Sequence, residues 1–366
     1  YYLYCVEITM PDGWRVPLAP TWVLGKKTNT IAILVPDRKN KRFDFRIKMD
    51  ATDEEMEGAE SGTIKNGMVT NPATSSSIKL SVLRGDRKEI VGRDEKGKQL
   101  KETRNNLRPW ESADWKPHPD DFYQERLYCI RWRNKKGKAV YREPKAFDLR
   151  TEAKVEELLA ERFNKWQKEG NIPSMRIEPG YNTAQPIRER GWTHWHHLFT
   201  PRQLLTMGDW NMRGNHSSLI AWPQTLNFSS KLSVWSNDAK NELTVRVFTN
   251  QALNTLTNPA ARSWSNHRDH CISSIQGDPY FPRADSKVET MDARAVSKDC
   301  TFWITDPPYA DAVNYDEVSE FFLAWFEKKL PKLFPDWYAD SKRALAVKGS
   351  EGVTFEDTLV EIYDNL

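Results

Sequence analysis

The chain has 366 residues, 29% charged and 39% hydrophobic, with a formal net charge of +3 and fifteen tryptophans. That length leaves room for two or three domains with a real core, while a mean hydropathy of −0.73 and the lack of any run near 18 apolar residues exclude a membrane-spanning helix. Cysteines stand only at 5, 129, 271 and 300, without a CxxC pair, which argues against a disulfide framework or zinc knuckle and fits a reducing, cytoplasmic setting.

The chain opens Tyr1-Tyr2-Leu3-Tyr4-Cys5, with no initiator Met or signal-type core, and reads as a strand entered midway in a longer protein. Four strands are predicted at Leu3–Thr9, Arg15–Trp22, Thr30–Pro36 and Arg42–Met49, β-branched or aromatic runs separated by turns such as Pro11-Asp12-Gly13. Asp53 to Glu60 suggests a short acidic helix, and residues 81–110 a charged loop. Strand character returns near 121–142, where Asn134 to Lys138 reads as a hairpin turn. Residues 151–169 predict a helix, with Thr151 as N-cap, Val155, Leu158, Leu159, Phe163 and Trp166 on one face, and Gly170 as the stop. Thr200-Pro201 opens another. Leu243–Thr249 and 301–305 read as strands. Tyr315 to Leu330 predicts an amphipathic helix with Val318, Phe321, Phe322 and Trp325 as its apolar stripe and Pro331 as its end. A last helix covers Thr354 to Leu366.

Charge is unevenly spread. Residues 81–150 hold 19 Lys and Arg against 12 Asp and Glu. Arg131, Arg133, Lys135, Lys136 and Lys138, with Trp132 among them, form a stretch suited to a phosphate backbone, or equally a solvated hairpin. Lys328, Lys329, Lys332, Lys342, Arg343 and Lys348 are further candidates for the DNA backbone, or equally a solvated surface.

The sharpest motif is Asp306-Pro307-Pro308-Tyr309. An exocyclic amine such as adenine N6 is a poor nucleophile, because its lone pair is delocalised into the ring. A carboxylate and the next backbone carbonyl, here Asp306 and Pro307, can accept its two N–H groups and stabilise the charge that grows on nitrogen. Two prolines fix the backbone and carry no competing N–H. Tyr309 can stack on a base that has been flipped from its duplex. Asp in first place favours adenine N6; a rigid turn with an aromatic plug is the plainer alternative. No glycine-rich loop for S-adenosylmethionine occurs in the 366 residues.

Thr305-Asp306-Pro307-Pro308-Tyr309-Ala310-Asp311-Ala312-Val313-Asn314-Tyr315 and Ser319-Glu320-Phe321-Phe322 resemble the large defence-island-type adenine-specific DNA methylases of prokaryotes, which carry a zinc-ribbon-like insertion. Gly13 to Leu18, Gln124 to Leu127, Pro173-Ser174, Ile177 to Gly180, Gly191 to Phe199 and Pro201 to Leu205 share the resemblance. It implies an α/β fold: a Rossmann-like methyltransferase portion with a β-rich insertion domain and helical elements. It also implies S-adenosylmethionine as cofactor, DNA as substrate, a phage-defence or restriction-modification setting with other defence proteins as possible partners, and a cofactor loop upstream of Tyr1. Three parts are expected: residues 1–145 as the degenerate ribbon-like insertion, 146–300 as a connecting and target-recognition region, and 301–366 as part of the catalytic domain. Where relatives carry paired cysteines this chain has Met10-Pro11-Asp12-Gly13 and Asn71-Pro72-Ala73-Thr74-Ser75, so no ribbon zinc is expected and packing alone should hold the insertion.

His194, His196 and His197, with His267, His270 and Cys271, form the one constellation resembling a metal site. No carboxylate or cysteine stands at ligand spacing, so packing is the preferred reading. Three functions stay open: a DNA adenine-N6 methyltransferase, a catalytically incomplete DNA-binding or assembly module, and a methyltransferase acting on an RNA or protein amine.

Overall fold

The computed structural model describes residues 1–93, 96–214, 222–240, 242–248, 259–275, 289, 291–296, 300–307, 314–335 and 355–365, with the backbone alone for 270–275. Its main sheet has eight strands. Five come early: β1 (Tyr2–Thr9), β2 (Arg15–Leu18), β3 (Val23–Gly25), β4 (Thr30–Asp37) and β5 (Arg42–Lys48). Next come a small three-stranded sheet, β6 (Ile64–Lys65), β7 (Met68–Thr70) and β8 (Ser77–Lys79), and a separate hairpin, β9 (Arg87–Arg93) and β10 (Gln99–Arg104). β11 (Tyr123–Arg133) and β12 (Ala139–Arg142) rejoin the main sheet; β13 (Trp235–Asn237) and β14 (Glu242–Thr244) pair with each other, and β15 (Ala260–Ala261) docks on β1.

The main sheet runs β12-β11-β1-β2-β5-β4-β3. β2 takes one half of an edge of β1, at Val6–Thr9, and β15 the other, at Tyr2–Leu3. Every pairing among these strands is antiparallel except a single parallel contact, Arg15 with Arg42. The protein is thus mixed α/β with a mixed sheet. β1 is buried along nearly its whole length because both faces are covered. Leu3 and Cys5 pack with Trp22, Tyr128 and Tyr141, while Val6 and Ile8 pack with Trp14, Val16 and Phe43.

The helices are α1 (Asp53–Ala59), α2 (Leu80–Arg84), α3 (Ala146–Glu169), α4 (Ala184–Arg190), α5 (Pro201–Arg213), α6 (Pro223–Leu226), α7 (Trp264–Ile275), α8 (Tyr315–Leu323), α9 (Leu330–Leu333) and α10 (Phe355–Asn365). α1 begins with a capping box, Thr52 and Glu55, and α5 with another, Thr200 and Gln203, plus proline at its first turn. These are the side-chain signals that satisfy otherwise orphaned N–H groups. α3 buries Val155, Leu159, Phe163 and Trp166 and ends at Gly170, whose φ of +77° only glycine adopts readily.

Four expectations are corrected. The segment 81–110 is not one loop; it holds α2 and the β9–β10 hairpin. α3 starts before Thr151, because the Asp148 carboxylate accepts the Lys145 N–H at 2.8 Å and supplies the cap. The helix expected to run to Leu330 leaves its regular form after Leu323, and Pro331 lies in the first turn of α9, where its missing N–H costs nothing. Residues 301–305 form no strand.

The largest core joins α3, the Trp192–Phe199 segment, α5, residues 222–232 and residues 321–326. Phe321 stacks on Phe199, and Trp325 meets Phe199 and Trp222 edge to face. Gly208 on α5 lets Trp166 of α3 approach so closely that an added Cβ would lie 2.4 Å from its ring.

Candidate functional site

The motif segment lies in the open. Residues 301–307 are irregular and exposed, with Ile304 at 99% and Phe302 at 85% of full exposure. A run with strong strand character is left without a partner strand; its one hydrogen bond among the described residues joins Thr305 Oγ1 to Tyr363 Oη at 3.2 Å. Asp306 and Pro307 are described and exposed; Pro308 and Tyr309 lie outside the described residues. Asp306 makes no hydrogen bond or ion pair among the described residues, so its carboxylate is open to an incoming donor.

The helix beyond the motif is firmly held. In the first turn of α8 the buried Glu317 carboxylate accepts the N–H groups of Tyr181 (2.7 Å), Asn182 (2.7 Å) and Thr183 (3.3 Å). These residues lead into α4, so an anion sits where that helix's exposed N–H groups favour one. Further along, Asn211 of α5 donates to the carbonyls of Gly170, Asn171 and Trp325 at 3.0–3.1 Å. Lys329 Nζ donates to the Asn211 carbonyl and to its Oδ1. Burial pulls the Lys329 ammonium down to about 8. Phe321 and Trp325, two of the four residues of the predicted stripe, complete the anchor, while Val318 and Phe322 are only half-buried.

The Trp/His block is scaffold. Trp192, Trp195, Leu198 and Phe199 are fully buried. His197 Nδ1 accepts the N–H groups of Thr193 (3.1 Å) and His194 (3.2 Å), so its proton sits on Nε2 and is donated to the Glu111 carbonyl at 2.9 Å. His196 Nε2 donates to the Asp114 carbonyl at 3.0 Å, and Gln167 Nε2 lies 3.4 Å from its Nδ1. Both rings are fully used and neutral. Burial, reinforced by His194, drives His196 down to about 3; burial, with His196 and His194 beside it, lowers His197 further still. No group of three potential ligands suited to a metal occurs among the described residues, and the side chains of His270 and Cys271 lie outside them.

The segments Met10–Gly13 and Asn71–Ser76 meet in space. Asp12 Oδ2 accepts from Asn71 Nδ2, Thr74 Oγ1 and Ser76 Oγ, each at 3.0 Å, while Oδ1 accepts the Trp14 N–H at 3.1 Å. Desolvation opposes ionisation of Asp12, yet the bonds from Trp14, Asn71, Ser76 and Thr74 outweigh it and hold the carboxyl below its usual range. The expectation that packing alone holds this region is corrected: a carboxylate hub clasps the two loops.

Of the basic candidates, Arg131, Arg133 and Lys138 line one cleft of about 1030 Å³, while Lys328 and Lys329 are spent on the Gln167 and Asn211 carbonyls. Lys135 and Lys136 are exposed on the hairpin turn outside its lining, and Lys342, Arg343 and Lys348 lie outside the described residues. Arg131 is buried and committed. Its Nε donates to Tyr141 Oη at 2.9 Å, its guanidinium faces Glu242 at 3.7 Å, and it stacks between the rings of Tyr141 and Trp235. Its role is to build the cleft floor rather than to present a surface charge. Glu242 also accepts from Thr28 N (3.0 Å), Thr28 Oγ1 (2.9 Å) and Tyr141 Oη (2.8 Å). Lys27, Lys240 and Glu242 escaped sequence reasoning because they come from separate segments with no local pattern; only the fold assembles them.

Compared with family models, curated proteins and solved structures, the chain matches none.

Proposed function

We propose that this chain is part of a DNA methyltransferase that modifies adenine N6, a Rossmann-like enzyme of the defence-island type it resembles. The observation that carries the reading is the exposed, unengaged Asp306-Pro307 pair ahead of a helix locked to the core through Glu317, Phe321 and Trp325. A firmly held helix that follows an open carboxylate in the chain suits the task of holding a flipped base's amine. Asp306 and the Pro307 carbonyl accept its two N–H groups, and the carboxylate offsets positive charge as it develops. The clasp of Asp12 on Asn71, Thr74 and Ser76 also supports the resemblance, because it brings together the two segments aligned with a ribbon's ligand pairs.

S-adenosylmethionine is the donor this reading requires. The described residues do not fit it: they contain no strand, glycine-rich loop and helix in series with which to cradle a nucleoside. The chain supplies the amine-holding side. A second reading, a DNA-binding or assembly module without catalysis, is favoured by the basic cleft.

The two readings separate in one assay. Labelled methyl transfer to DNA by the native protein, with the product nucleoside identified as N6-methyladenine, supports the enzyme reading if Asp306→Ala abolishes it. DNA binding with no transfer supports the module. Transfer to RNA or to a protein amine moves the substrate class.

A further inference from the structure

We propose that the cleft between the β11–β12 turn, residues 27–28, β14 and the start of α7 binds single-stranded nucleic acid. Lys27, Arg133, Lys138 and Lys240 surround it, and none of the four is in an ion pair among the described residues. Arg131 and Glu242 satisfy one another in the floor, and Asp269 is engaged by Arg268 at 2.7 Å. Four cations without carboxylate partners around one concavity make a focused positive field, which calls for a polyanion.

The turn that presents Lys138 is pre-shaped. Asn134 Oδ1 accepts the N–H groups of Lys136 and Lys138 at 3.0 Å, and Gly137 takes a φ of +75° that the turn requires. Trp132 stands at the rim, 40% exposed, and Ser263, Ser265 and Asn266 add polar groups along the wall. Small-molecule pockets are mostly apolar and rarely exceed about 1,000 Å³; this cleft is lined mainly by charged and polar residues and reaches about 1030 Å³. A duplex hides its base faces and is read by elements that protrude into its grooves. A concave, cationic surface with an exposed indole instead suits a strand whose phosphates track the lysines while a base lies on the ring.

This assignment deepens the nucleic-acid part of the proposed function and rests on it for the class of partner. Binding is measured without methyl transfer, so the two can fail separately. The probe is a labelled mixed-sequence DNA oligonucleotide, single-stranded or annealed, titrated by fluorescence anisotropy over a range of salt; an RNA of the same sequence forms a further arm. The single strands should bind more tightly than the duplex. Arg133→Glu with Lys138→Glu, and Lys27→Glu with Lys240→Glu, should each weaken binding at least tenfold. Each pair should also flatten the logarithmic salt slope by about 1.4, from about 0.7 per phosphate contact. Trp132→Ala should weaken binding about five- to a hundredfold with the salt slope unchanged. Lys65→Glu with Lys101→Glu, exposed and outside the cleft, should change affinity less than twofold. No binding by the unaltered protein, tighter binding of the duplex, or equal losses in the cleft and control variants would overturn the assignment.

Discussion

Replacing Glu317 by Gln tests how the motif's neighbouring helix is held. The carboxylate uses both oxygens: Oε1 takes the Tyr181 N–H, and Oε2 takes those of Asn182 and Thr183. A glutamine can keep its carbonyl toward only one side. With the carbonyl on the side of the two N–H groups, the amide NH2 confronts the Tyr181 N–H, and one charge-assisted bond becomes a donor facing a donor. Hydrogen bonds to charged groups contribute about 1.5–3 kcal/mol, and the unmet donor adds to the loss, so the expected destabilisation is about 2–4 kcal/mol. Urea unfolding should show a lower midpoint at constant m. Local opening should speed amide exchange at Tyr181 and Asn182 by about 30- to several hundredfold, since each 1.4 kcal/mol is a factor of ten. Glu317→Asp, one methylene short of the N–H groups, should move in the same direction. A loss under about 0.5 kcal/mol with unchanged exchange at those amides would refute the anchor.

Two other consequences concern stability. Gly208→Ala should destabilise by about 1–3 kcal/mol: the helix gains up to about 1 kcal/mol in propensity, but the new Cβ meets the buried Trp166 ring at 2.4 Å and Ile172 at 2.9 Å, and a stabilised variant in thermal melts would count against that packing. His196 and His197 are neutral when folded because burial lowers their pKa. Unfolded histidines bind protons below about 6.5, so the unfolded state holds more protons and stability falls as the pH drops below that value, toward about 3 for His196. Each ring contributes a slope of up to about 1.4 kcal/mol per pH unit; unfolding midpoints that stay constant between pH 7 and pH 5 would contradict the burial of these rings.

The sequence discloses what local physics decides. The early β-branched and aromatic runs, the Thr200 cap, the Gly170 stop and the Asn134–Lys138 turn are short-range signals, and the chain obeys them. Of the predicted stripe, Phe321 and Trp325 are buried but Val318 and Phe322 only half-buried, while Glu317 and Glu320 are buried on the same helix, and the regular helix is shorter than the stripe. Long-range contacts are what local pattern cannot reveal. Nothing near Asp12 announces Asn71, Thr74 and Ser76, and nothing near Arg131 announces Glu242. Arg131 looks like its exposed neighbours in a basic run; only the sheet register, which turns it toward Tyr141, separates it from Arg133. The segment 301–305 shows the converse. Its composition asks for a strand, but pairing needs a neighbour, and none of the described residues provides one.

The central claim is that Asp306 holds an adenine amine. The most direct measurement is the N6-methyladenine content of DNA incubated with S-adenosylmethionine and the native protein containing this chain, beside the same protein carrying Asp306→Ala. Loss of a preorganised electrostatic contact typically costs about 10²- to 10³-fold in rate. The account therefore predicts N6-methyladenine with the unaltered protein and a fall of at least about a hundredfold with the variant, while its DNA affinity stays the same. Undiminished N6-methyladenine in the Asp306→Ala protein would contradict it.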